Sequence, residues 1–221
     1  MCARQGGTTV NCTKLTTWIR SVGHTRAWRQ GSIIFREGEP ASSVLLIESG
    51  RAKAVLSAAS GKQVVLAVRG PGDLLGEFAA LDRQARSASI QAVTDLQGQV
   101  VTADALVGHL ASDPEAALEL LRLVVSRLRE ADLRRLDFGA LDTTGRIASY
   151  LVERTRRQRA PGWLHLTQTD LGQSVGASRE ATVKALRKLR AAGLVETRRG
   201  GVRVIGLDGL SRLAEGWPDP L

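Results

Sequence analysis

Arg179, Glu180 and Lys184 follow Ser178 at spacings that place one long-armed polar face along the first turns of a helix. An arginine can bond both acceptors of a guanine in the major groove of DNA, and a glutamate can accept from the amino group of a cytosine. The chemistry on offer is the reading of base edges. A solvated amphipathic helix carries similar charges, so the flanking elements decide between the two readings.

Those elements favour a reader of DNA. The stretch SREATVKALRKL, Ser178 to Leu189, offers Ser178 as an N-cap and turns Val183, Leu186 and Leu189 inward at helical spacing. It is preceded by LTQTDLGQSVG, Leu166 to Gly176, which supplies a first helix and a glycine for a tight turn. Gly193 sits where a helix C-cap belongs, and LVETRRGGVRVI, Leu194 to Ile205, then alternates around Arg198, Arg199, Gly200 and Gly201. This predicts a β-hairpin with a basic tip. Helix, turn, helix and hairpin together make a winged arrangement whose tip arginines can sit on phosphates. A solvated turn is the plainer alternative for the two arginines.

A second constellation lies in the N-terminal half. DLLGEFAALDRQARSASIQAV, Asp73 to Val93, opens with Gly76 and Glu77 and returns through Arg86, Ser87 and Ala88 into an alternating strand. Backbone N–H groups after Gly76, the planar fork of Arg86 and the Ser87 hydroxyl could cradle a phosphate, with Glu77 accepting from a sugar hydroxyl. A salt bridge between Glu77 and Arg86 would explain the same spacing. Around this segment run short β-rich stretches: SIIF before Arg36, VLLIESG ending at Gly50, AKAVL, and KQVVLAV before Arg69-Gly70-Pro71-Gly72. Turn signals about ten residues apart predict an antiparallel barrel or jelly roll rather than βαβ units.

Between the halves a long helix is expected from Ser112 or Asp113, with Pro114 in its first turn, to about Asp137. Leu118, Leu121, Val125 and Leu128 step along it as the seam of a coiled coil, and the same count lands next on Asp132. A carboxylate there must be solvated, paired or used. One use is to accept hydrogen bonds from something bound between helices; another is to set the register of a dimer. Asp142 then caps a helix from Thr143 to about Arg159, which Ala160-Pro161-Gly162 ends before the strand WLHL.

A chain of 221 residues is long enough for two modest domains with their own cores. Nothing in it approaches the roughly 20 apolar residues of a membrane span, and no basic-then-apolar leader is visible, so a cytoplasmic protein is expected. Cys2 and Cys12 are too few for a disulfide framework or a four-cysteine cluster. His24, His109 and His165 lack metal-ligand spacing, and neither a nucleophile constellation nor a phosphate loop of the GxxxxGK type is present, which argues against an enzyme. The formal charge of +9 is uneven: residues 1–141 carry +3 and residues 142–221 carry +6. A basic balance concentrated beside the helix-turn-helix favours a polyanion, bound in a salt-sensitive way.

GE at Gly76 and Glu77, RSA at Arg86 to Ala88, the long helix, LDTTGRIASYL and LTQTDLGQSVGASRE occur in an order that resembles the Crp/Fnr family of bacterial transcription regulators. The resemblance covers residues 18 to 213. It implies an α+β fold: an antiparallel β-roll or jelly-roll sensory domain of cyclic-nucleotide-binding type (1–111), a dimerisation helix (112–141), a winged helix-turn-helix domain (142–216) and a tail (217–221). In the cyclic-AMP receptor branch, the positions matching Gly76 and Glu77 hold the ribose 2′-hydroxyl, and those matching Arg86 and Ser87 hold the cyclic phosphate. Phe78, Ala88 and Asp132 complete the implied nucleotide-binding set. On the DNA side the resemblance assigns base reading to Arg179, Glu180 and Lys184, with Lys where the family has a third Arg. Thr167, Gln168, Thr169, Ser178, Arg198 and Arg199 join them at the DNA.

The long helix departs from the family. Two adjacent small hydroxyl or amide residues that approach adenine in the cyclic-AMP branch are matched here by Ala131 and Asp132. An ionised carboxylate only accepts, and guanine presents two adjacent N–H donors where adenine sets a donor beside an acceptor. Cyclic GMP is therefore as plausible an allosteric ligand as cyclic AMP. No further cofactor is required. The expected partners are double-stranded DNA with a pseudo-palindromic operator, a second copy through the 112–141 helix, and RNA polymerase; no membrane is expected. Two alternatives are the same architecture answering to no ligand or to another effector, and a nucleotide-binding regulatory subunit acting on a protein partner.

Overall fold

Val44, Leu45, Leu46 and Ile47 are all fully buried in one strand, β3 (Ser43–Ser49), although successive strand side chains point to opposite faces. Leu45 and Ile47 enter a core with Ala52, Leu75, Ile90, Leu96 and Val100. Val44 and Leu46 enter a second core with Leu15, Ile19, Leu106 and Leu120. The strand is covered on both faces, which is why its sequence is a continuous apolar run.

The computed structural model describes residues 13–57, 63–156 and 162–216. Cys2, Cys12, Ala160, Pro161 and the expected tail from Trp217 lie outside them. The described residues fall into two units that divide between Val125 and Ser126, within the helix α4 (Pro114–Ala140).

Two antiparallel four-stranded sheets build the first unit. One runs in the order β1 (His24–Trp28), β8 (Leu96–Thr102), β3, β6 (Leu74–Leu75); the other runs β2 (Ile33–Phe35), β7 (Ser89–Ala92), β4 (Ala52–Ser57), β5 (Gln63–Arg69). Side chains from both sheets make the first core, so this is the expected β-roll. The helices α1 (Thr13–Val22) and α3 (Ala103–Ser112), with the start of α4, form the second core against the outer face of β3 and β8. Glu119 of α4 is 8% exposed and accepts from the backbone N–H groups of Lys14 and Leu15, at 3.2 and 3.0 Å, satisfying donors at the start of α1. Asp113 starts α4 by accepting from Glu115 and Ala116, as an N-cap should. Those two bonds hold its carboxyl below the usual carboxylate range, the Ala116 bond contributing most.

The second unit comprises the rest of α4, α5 (Thr143–Arg156), β9 (Leu164–His165), α6 (Gln168–Val175), α7 (Arg179–Ala191), the hairpin β10 (Val195–Arg198) and β11 (Gly201–Val204), and α8 (Leu207–Ala214). Ile147, Leu151, Leu171, Leu186, Leu189 and Leu210 form its core. β11 pairs with β10 and β9, so the wing is a three-stranded sheet. Two expectations change and one lies outside the described residues. α4 continues past Asp137 to Ala140. The described part of α5 ends at Arg156, and the expected end at Arg159 lies outside the described residues. The inward face of α7 is Thr182, Ala185, Leu186 and Leu189, whereas Val183 is only half-buried. A stripe through Thr182 keeps the i, i+3, i+4, i+7 pattern, and a threonine does not register in an apolar count.

Candidate functional site

Gly76 ends β6 and precedes the short helix α2 (Glu77–Asp82), and its φ of 86° lies in the left-handed region open to glycine. Space demands a glycine as well: a Cβ there would stand 2.5 Å from a terminal nitrogen of Arg86 and 3.0 Å from the Phe35 ring. Arg86 arrives from the loop after α2, is 5% exposed, and lays its guanidinium 3.9 Å above the Phe35 ring. One terminal nitrogen donates to the Gly76 carbonyl at 3.0 Å and the other to the Ser43 carbonyl at 2.6 Å. Burial pulls this guanidinium below its ordinary pKa, opposed by the charges of Glu77 and Glu39.

Glu77, at 2% exposure, is the first residue of α2, where a carboxylate is favoured by the positive end of the helix. The sequence alternative, in which Glu77 and Arg86 merely pair, gives way to a fuller arrangement: the arginine is anchored on two carbonyls and an aromatic face, and Glu77 acts on it as a neighbouring charge. Ser87 is exposed, Ala88 half-buried and Phe78 40% exposed, around the buried pair. The structure thus brings Gly76, Glu77 and Arg86 together. The site also uses Phe35 and the Ser43 carbonyl, which sequence reasoning missed. A carbonyl has no residue signature, and neither position falls within the motif that drew attention to Arg86.

Asp132 belongs to the second unit. It lies on α4 beyond Ser126, with its side chain 62% exposed and 3.8 Å from Arg135 one turn on. The seam residues before it are also exposed: Leu118 43%, Leu121 58%, Val125 41% and Leu128 59%.

The second site is built on α6 and α7. Thr167 caps α6 through a capping box, accepting from the Asp170 N–H while the Asp170 carboxylate accepts from the Thr167 N–H. Gln168 and Thr169 follow it, exposed, on the first turn. Gly176 ends α6 at φ 65°, and a Cβ on it would meet the Phe138 ring at 2.5 Å. The end of α4 is therefore seated on the turn between the two helices. Two further contacts hold it there, a hydrogen bond from Ser149 to Asp137 and the Arg146 guanidinium 5.2 Å from the Phe138 ring.

Ser178 caps α7 by accepting from Ala181 at 3.1 Å, while the hydroxyl of the fully buried Thr182 donates back to the Ser178 carbonyl. Arg179, Glu180 and Lys184 are all exposed, Arg179 on the first turn and Glu180 and Lys184 on the outer face. The Glu180 carboxyl is held below its ordinary range by its own backbone N–H, then by the Ser178 hydroxyl. Arg190 of α7 donates to Thr197 of β10, tying the wing to this helix. At the wing tip, Arg199 and Gly200 form the turn, with Arg198 paired across it to Gly201. Trp163, missed by sequence reasoning, lies beneath Arg198 with its ring 4.3 Å from the guanidinium. Its one sequence signal is a scarce aromatic residue directly before β9.

The models of two families match the chain in these same two regions: a cyclic nucleotide-binding domain over residues 25–113 and a Crp-like helix-turn-helix domain over residues 145–213. A CRP-like cAMP-activated global transcriptional regulator of Mycobacterium tuberculosis is 32% identical over 191 residues, covering 84% of this chain and 85% of that one. Among solved structures, FixK2 of Bradyrhizobium japonicum superposes with a TM-score of 0.80 at 23% identity, over 87% of this chain and 97% of that one. The c-di-GMP responsive global regulator CLP of Xanthomonas campestris does so with a TM-score of 0.76 at 23% identity, over 86% and 98%. The two solved structures share the fold, and the relative from Mycobacterium tuberculosis shares sequence along most of both chains. With a β-roll around a buried Glu and Arg ahead of a capped, winged helix-turn-helix, the chain belongs to the Crp/Fnr family of transcription regulators.

Proposed function

We propose that the protein is a homodimeric, sequence-specific DNA-binding regulator whose DNA affinity is set by a cyclic nucleotide bound at Gly76, Glu77, Arg86 and Ser87, with Phe78 and Ala88 at the rim. The observation that carries this reading is the burial of a glutamate and an arginine at 2% and 5% exposure in the segment that the cyclic nucleotide-binding model matches. Uncompensated charges are rarely buried, and carbonyls engage only two of the five N–H donors of Arg86, so donors remain for a phosphate. Sensing is assigned to residues 1–111, dimerisation to 112–141 and DNA binding to 142–216. The exposed stripe Leu118, Leu121, Val125 and Leu128 supports pairing of two α4 helices. Two-fold symmetry then implies a pseudo-palindromic operator with half-sites about one helical turn, roughly 34 Å, apart. RNA polymerase is the partner through which such a DNA-bound dimer acts.

At each half-site Arg179, Glu180 and Lys184 read bases, while Thr167, Gln168, Thr169, Ser178, Arg198 and Arg199 hold the backbone. Replacing Arg179 with Ala is expected to lower operator affinity by about 1–3 kcal/mol and to relax preference at one base pair. Equal weakening on every sequence, in selection from a random DNA pool, would remove its base-reading role.

The choice of effector turns on Asp132. Relatives of this fold include one named for cAMP and one for c-di-GMP, so architecture does not select the ligand. An exposed acceptor-only side chain on α4 favours the guanine edge, so cyclic GMP is expected to bind at least as tightly as cyclic AMP. Calorimetric titration of both nucleotides against the native protein and Asp132→Ala tests it. Loss of cyclic GMP preference in the variant is expected; tighter cyclic AMP binding, unchanged by the substitution, overturns the assignment. A regulator that ignores both nucleotides would show no heat with either and the same DNA affinity in their presence.

A further inference from the structure

One tryptophan in the wing carries two arginines. The Trp163 ring lies 4.3 Å from the Arg198 guanidinium carbon and 5.2 Å from that of Arg203. The strand opposite Arg198 leaves room for this stack, because a Cβ on Gly201 would press within 3.2 Å of both the Trp163 ring and the Arg198 side chain. The two arginines are committed differently. Arg203 spends its edge on the cross-strand Glu196 carboxylate, to which both Nε and a terminal nitrogen donate. The exposed side chain of Arg198 has no hydrogen bond or ion pair to any described residue, so beside the hairpin tip its N–H donors are left for a phosphate. Stacking fixes the plane of a guanidinium without consuming any of its donors.

We propose that Trp163 is a positioning residue for DNA binding, holding Arg198 as a phosphate-contacting group of the wing beside Arg199, while Arg203 serves the hairpin through Glu196. This rests on the reading of Arg198 as a DNA contact and adds what aims it. A free arginine at a hairpin tip must give up rotamer freedom when it meets a phosphate; one already stacked on an indole has given it up beforehand. The wing is tied to α7 by Arg190 and Thr197, so a pre-aimed Arg198 also has a fixed relation to the helix that carries Arg179.

The test titrates the full chain with a fluorescently labelled mixed-sequence DNA duplex over a series of salt concentrations, for native protein, Arg198→Ala, Arg203→Ala, Trp163→Leu, Trp163→Phe and the Trp163→Leu/Arg198→Ala double variant, each first checked for native melting behaviour. Arg198→Ala is expected to lower the slope of log affinity against log salt by about one per wing. Trp163→Leu, which keeps apolar bulk and loses the aromatic face, should weaken binding about two- to fivefold at low salt, and Trp163→Phe should restore most of it. In the Arg198→Ala background Trp163→Leu should do nothing more, and Arg203→Ala should leave the slope unchanged. Equal weakening by Trp163→Leu with and without Arg198, or no weakening at all, overturns the positioning role. An unchanged slope in Arg198→Ala with a normal Trp163→Leu effect overturns instead the reading of Arg198 as a phosphate contact.

Discussion

The two functional regions bury opposite things. In the first unit Glu77 and Arg86, the groups proposed to hold the nucleotide, are inside, fixed by two carbonyls, an aromatic face and a helix start. In the DNA-binding unit Arg179, Glu180 and Lys184 are outside, and what is buried beneath them is Leu186, Leu189 and a threonine bonded to the helix cap. A small ligand can be enclosed, so its site can be part of the fold; a DNA duplex cannot, so its readers must stand on a core that does not depend on them. Stability and function are therefore coupled in the first region and separable in the second.

Arg86→Ala should test that coupling most severely. It removes two charge-assisted hydrogen bonds and takes a neighbouring positive charge away from the buried Glu77, and the expected loss is about 3 kcal/mol of stability together with cyclic nucleotide binding. Denaturant unfolding and calorimetry on the same sample read both; retention of either one alone breaks the comparison. Next comes Gly176→Ala, which forces a residue with a Cβ into the left-handed region and onto the Phe138 ring. A cost of about 2 kcal/mol is expected, with part recovered in a Phe138→Ala background, where the overlap is gone and the backbone strain stays. Equal costs in both backgrounds would mean that Phe138 moves aside freely. Ser178→Ala should cost about 1 kcal/mol by removing the α7 cap, and should lower DNA affinity further by taking away a group that holds the DNA backbone. By contrast, Arg179→Ala should reduce operator affinity with no change in melting temperature, and any destabilisation beyond the scatter of a surface substitution would contradict the separation.

Much of this was legible in the sequence, for identifiable reasons. The helix-turn-helix could be located to within a residue or two because Thr167, Gly176, Ser178 and Gly193 are local signals that act within one turn of where they stand. β1, β6 and β8 were not found, since HTRAW has no apolar alternation and β6 is only two residues long. α1, α3 and α8 were missed because they are short and gain much of their stability from packing on sheets and neighbouring helices, and the Thr102 cap of α3 sits at the end of a β-rich run. At the pocket, Gly76, Glu77 and Arg86 were legible as a set. Phe35 and Ser43 were not, because long-range contacts leave no mark at either end of the sequence. For Asp132 the seam count placed it on α4, and the exposed ion pair with Arg135 is the part that spacing did not anticipate.

The seat of Phe138 on Gly176 has a consequence for the family's record of substitutions. With the turn glycine in place, position 138 is free to hold a ring; a relative with a side chain at position 176 has no room for one. The two positions, one at the end of α4 and one in the turn before α7, should therefore vary together, aromatic with glycine and small with anything larger. A lineage that enlarged position 176 would have had to trim position 138 first.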